Sequence, residues 1–124
     1  MKRLYKPLSL VLLTLMLLGC NTTSTYHWGN YEELLYSMYV KPGEAPPALQ
    51  IQKLSNDIEQ ANNLDKPVPP GVYAHLGYMY AIEGNASASN QAFESELAMY
   101  PESKVLIEGM LKRVKDNNTK GVKK

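Results

Sequence analysis

Residues 73–101 read YAHLGYMYAIEGNASASNQAFESELAMYP, and this stretch decides the fold. Tyr73, Leu76 and Tyr80 recur at helical intervals, so they share one face of a helix over about 71–83. Gly84-Asn85 breaks it, and Gly84 suits the left-handed position that ends a helix. A second helix over about 87–99 follows, with Ser87 as its candidate cap and Pro101 as its stop. Two helices joined by so short a turn pack against each other. Gly77 offers no side chain where they press together, and Phe93 is expected to meet Tyr73, Leu76 and Tyr80 there.

The same reading extends in both directions. Trp28, Tyr31, Leu34, Leu35 and Met38 keep helical spacing and predict a helix over about 30–40. Asn30 is its candidate N-cap, with Glu33 three residues on, and Lys41-Pro42-Gly43 ends it. Ile51, Leu54, Ile58 and Ala61 form the apolar stripe of a helix over about 47–63, while Gln52, Lys53, Asn56, Asp57, Glu59 and Gln60 fill its polar side. The proline-rich run Lys66 to Gly71 keeps the next linker extended. Pro101-Glu102-Ser103 opens a fifth helix with the stripe Ile107, Met110, Leu111 and Val114. No segment alternates as a strand does, so the expected fold is all-α, about five helices, with the domain over 28–116 and a flexible polar tail over 117–124.

Tyr73, Leu76-Gly77, Tyr80, Gly84, Phe93, Leu97 and Pro101 together resemble a tetratricopeptide repeat, a helix-turn-helix unit of about 34 residues with this signature. The resemblance implies stacked helical hairpins, with the fifth helix capping the open end. It also implies a groove lined by the first helix of each hairpin. Two positions depart from the pattern. Ser89 and Glu96 stand where alanine is usual, and Glu96 implies looser, more exposed or shifted packing at that point.

The N-terminus carries a different signal. Lys2, Arg3 and Lys6 precede the apolar run Leu8 to Leu18, the layout of a secretory signal peptide over 1–19. The run is short for a membrane span, which takes about 20 apolar residues. Leu17-Leu18-Gly19-Cys20 resembles the bacterial lipobox, which implies cleavage before Cys20 and lipidation of its thiol. Cys20 is the only cysteine, so no disulfide partner exists within the chain. More than one acyl chain is needed for firm anchoring. In bacterial lipoproteins an aspartate after the cysteine favours inner-membrane retention; Asn21 therefore implies the periplasmic face of the outer membrane. Residues 20–27 act as lipidated cysteine and tether. Loss of the leader shifts the net charge from +1 to about −2, which removes any basic excess for nucleic acid.

His27-Trp28-Gly29-Asn30-Tyr31-Glu32, then Leu35-Tyr36 and Tyr39, resemble a family of small proteobacterial lipoproteins that bears only a domain-of-unknown-function label. Its members tend to be encoded beside a CsgG-like lipoprotein and a third small lipoprotein. The resemblance implies a multi-lipoprotein assembly, with the CsgG-like protein as a candidate partner.

Reactive constellations are sparse. His27 and His75 are too few for most metal sites, Glu32 and Glu33 point in different directions on a helix, and no glycine-rich phosphate loop exists. No cofactor, metal, small-molecule substrate or enzymatic activity is expected. Tyrosines are abundant instead: nine, of which only Tyr5 lies in the leader. Tyr36, Tyr39 and Tyr78 fall off the apolar faces of their helices. Such rings either serve an interface or pack against loops. Tyr36, Tyr39, His75 and Tyr78 are the candidate partner-binding residues. The expected function is a lipid-anchored periplasmic binding module or adaptor. A pilotin-like chaperone is the alternative. A peptidoglycan-synthase activator is a third, disfavoured because the short polar tether spans at most about 18 Å.

Overall fold

The computed structural model describes residues 24–41 and 43–121. The expected leader and Cys20 lie outside these residues. Five α-helices follow one another: α1 (Tyr31–Val40), α2 (Pro47–Asn63), α3 (Val72–Ile82), α4 (Ala86–Met99) and α5 (Lys104–Gly121). A 3-10 turn, Pro101–Ser103, precedes α5. No strand occurs among the described residues, and the fold is all-α. Helix α5 runs to Gly121, so Asn117 to Gly121 of the expected tail continue that helix.

Local chemistry sets the boundaries. Pro47 opens α2 at the first helical position, where its missing N–H costs nothing. Gly84, at φ +78°, closes α3. The Asn85 N–H reaches the Tyr80 carbonyl at 2.9 Å and the Gly84 N–H reaches that of Ala81 at 3.2 Å, which satisfies two carbonyls the helix would otherwise leave open. The cap of α4 is Asn85, whose Oδ1 accepts the Ala88 N–H at 3.1 Å, and not Ser87. The turn is thus one shared device: Gly84 ends one helix and Asn85 starts the next.

Helix α3 is the centre of the molecule. Val72, Ala74, His75, Leu76, Gly77 and Met79 are all buried, the pattern of a helix covered on more than one side. On one side Val72 and Leu76 join Leu34, Leu54, Ala61, Val68 and Ala92, with Tyr31, Ile58, Tyr73 and Tyr80 packed around them. On the other, Ala74 joins Phe93 and Ile107, flanked by Tyr78, Leu97, Met110 and Leu111. The expected contact of Phe93 with Tyr73, Leu76 and Tyr80 is therefore corrected. Those three face the small Ala92, whereas Phe93 lies over Gly77 and the α5 side.

The expectation for Glu96 is also overturned. It is fully buried, at 0% exposure. Its Oε1 accepts the Gly71 N–H and the Ser103 hydroxyl, both at 2.8 Å. Its Oε2 accepts the Ala74 N–H at 3.3 Å. The carboxylate thereby caps the positive N-terminus of α3 from a neighbouring helix, in the role a local side chain normally fills. Packing there is tight because the charge is satisfied, not loose because a charge is present.

Two outcomes follow. A Cβ on residue 77 would lie 2.8 Å from the Phe93 ring. Overpacking costs about 1–3 kcal/mol, and alanine returns about 1 kcal/mol of helix propensity. Gly77→Ala is expected to lose up to about 2 kcal/mol in urea unfolding. Glu96→Ala leaves buried N–H groups unpaired and is expected to cost about 3 kcal/mol or more, with Glu96→Gln retaining part of it.

Candidate functional site

The site begins with what fixes α1 against its neighbours. Asp57 on α2, only 3% exposed, accepts the Asn30 backbone N–H at 2.9 Å and the Asn30 Nδ2 at 3.0 Å. Asn30 occupies the N-cap position of α1 but makes no side-chain cap bond. Its amide is turned outward to the carboxylate instead, which corrects the expected capping box with Glu33. The His27 ring meets Gln60 Oε1 at 3.1 Å, so the segment entering α1 is held along α2 at two points.

An aromatic series continues inward. Tyr26 meets Trp28 edge-on, Trp28 stacks on Tyr31 at 6.2 Å, and Tyr31 meets His75 edge-on at 5.8 Å. Burial, followed by the nearby Glu96 charge, raises the Tyr31 hydroxyl above its ordinary pKa. His75 Nε2 lies 2.8 Å from Gln50 Oε1, and Gln50 Nε2 donates to the Ala45 carbonyl at 2.6 Å. Gln50 therefore fixes the tautomer: Nε2 of His75 carries the proton. Burial lowers the His75 pKa from 6.5 to about 4, so the ring is neutral at pH 7.

Helices α1, α3 and α5 converge on a groove of about 150 Å³, lined by Tyr31, Leu35, Met38 and Tyr39 from α1, His75 and Tyr78 from α3, and Met110 and Arg113 from α5. Three of the four expected partner-binding residues meet here. Tyr39 stands on the rim at 83% exposure. Tyr78 is half-buried against the α5 side of the core. His75 lines the groove but is only 5% exposed and holds α2 to α3. Its role as an open contact residue is thus corrected to that of a wall. Tyr36, 61% exposed, is not part of this groove. It lies on a second, more polar one between α1 and α2, with Glu33, Lys41, Glu44 and Lys53, of which Lys41 and Glu44 pair at 3.3 Å.

The sequence reading passed over Arg113 and placed Met110 only in the apolar stripe of its helix. Their positions three apart place them on one helix face, a signal that Met110, read as core, had already given in part. Among the described residues, no group of three or more His, Asp or Glu side chains is placed to hold a metal ion, and no helix is long and apolar enough to cross a membrane.

Residues 25–110 match the family described as Domain of unknown function (DUF4810), and the chain belongs to that family. No curated protein and no solved structure matches the chain.

The His75 environment gives a pH test. The folded pKa lies below the unfolded one, so the unfolded chain binds the extra proton between about pH 6.5 and pH 4. Stability from this residue is complete above pH 6.5 and falls by up to about 3 kcal/mol as pH drops through that window. Unfolding titrations at pH 7 and at pH 4.5 are expected to show a smaller acid loss for His75→Gln than for the wild type. Equal losses would contradict the neutral buried ring.

Proposed function

We infer that the chain is a lipid-anchored docking module on the periplasmic face of the outer membrane. Its groove takes a segment of another envelope protein, and a CsgG-like lipoprotein is the candidate partner. The reading rests on one observation above others. Tyr39, His75 and Tyr78, from helices separate in sequence, converge on an open groove that contains a fully presented tyrosine ring. Tyrosine offers an apolar body and a hydrogen-bonding tip at low entropic cost, which suits protein recognition. The two helical hairpins with α5 at their end support a tetratricopeptide-like use of the first helices as the binding face. The anchor is Cys20, carried by the lipobox resemblance of Leu17 to Cys20.

The full chain is tested in its native membrane. A photo-crosslinking residue at Tyr39 is expected to capture one discrete envelope protein, and the same residue at the exposed Glu94 on α4 is expected to capture none. Identical patterns from both sites, or none from either, would contradict the docking groove. Cys20→Ser is expected to abolish palmitate incorporation and release the protein from the membrane fraction. Unchanged labelling would contradict the anchor.

A further inference from the structure

The chemistry of the groove narrows its occupant. Arg113 is the one formally charged side chain on its wall, and the other basic side chain there, His75, is held neutral by burial. No ion pair engages Arg113 among the described residues. Around it stand Leu35, Met38 and Met110, with the tyrosines 31, 39 and 78. An arginine beside apolar walls has an unfilled fork of five donors, whose geometry matches a carboxylate in two parallel hydrogen bonds. Arg113 is exposed at the groove's edge, so such a pair forms in contact with solvent and acts chiefly in selecting the occupant's charge.

We propose that the groove's occupant is a peptide segment presenting a large apolar side chain next to an aspartate or glutamate, with the carboxylate seated on Arg113. This deepens the docking reading above and rests on it. The volume suits the apolar side chain: an apolar cavity of about 150 Å³ accommodates a benzene ring. The two methionines adapt their shape to leucine, isoleucine or phenylalanine alike, so the apolar requirement is for size more than outline. Tyr39 then folds over the inserted side chain from the rim. A polyphosphate partner is disfavoured, since a lone guanidinium neutralises one charge and the mature chain carries a net charge of about −2.

The test uses the full chain in detergent and a random peptide library displayed on phage. The selected peptides are expected to share an acidic residue beside a large apolar one. Against Arg113→Glu their affinity is expected to fall about tenfold or more, the size of one charge-assisted hydrogen-bonded pair. Replacing the peptide's acid by lysine is expected to restore binding to Arg113→Glu. Arg113 is on the surface of α5, and Arg113→Gln, with matched helix content, separates loss of the pair from new repulsion. Peptides that need Tyr39 but ignore Arg113→Glu would overturn the acidic preference and leave the docking groove standing. No selected peptide at all, or a groove covered by self-association of the chain, would overturn both.

Discussion

The Glu96 carboxylate is the contact on which the arrangement of the helices depends. It is carried by α4, yet it binds backbone N–H groups at the start of α3 and the Ser103 hydroxyl at the approach to α5. One side chain thereby sets three elements. A buried carboxylate is expensive unless every lone pair it presents is used. Here the donors include the unsatisfied N–H groups at a helix start, where partial positive charge collects. The interaction solves two problems at once: α3 obtains a cap that Gly71 has no side chain to supply, and the charge obtains partners that water no longer can.

A second buried carboxylate performs the matching task at the other end. Asp57 draws Asn30 onto α2 through both a backbone and a side-chain N–H, which orients α1. Gln50 then ties α2 to α3 through His75. The groove between α1, α3 and α5 is accordingly framed by polar contacts of defined direction, with apolar packing filling the space behind them. Hydrophobic burial is non-directional and permits sliding; these hydrogen bonds do not. Tyr39 and Arg113 line the groove outside this framework, and among the described residues neither joins these buried polar contacts.

Helix number, order and approximate limits were legible because the apolar stripes are regular and proline or glycine punctuates each end. The stripe Ile51, Leu54, Ile58, Ala61 and the turn at Gly84 are instances. The buried polar residues were not legible. Asp57 sits among polar neighbours in sequence, and Glu96 contradicts a repeat pattern, so each read as surface or as a defect. Their partners are 27 and 25 residues away, at Asn30 and Gly71, and no local pattern encodes a contact across that distance. The candidate site was half legible. Tyr39 and Tyr78 were recognised by falling off the helical stripes and His75 by its place on the first helix of a hairpin, but their meeting with Arg113 depends on how α5 lies on α3. The same geometry separates Tyr36 from them.

Membership of the DUF4810 family gives the chain relatives without giving it an activity. What the described residues offer physically is a helical frame and an aromatic groove with Arg113 on its wall. That frame stands or falls with the buried carboxylate on α4. Amide hydrogen exchange at Gly71 and Ala74, followed by NMR, tests it most directly. Both N–H groups should exchange only as slowly as the core of α3, although they lie at the start of a helix, Gly71 at its N-cap and Ala74 in its first turn, where amides ordinarily exchange fast. Rapid exchange at these two amides, with the rest of α3 protected, would contradict the account.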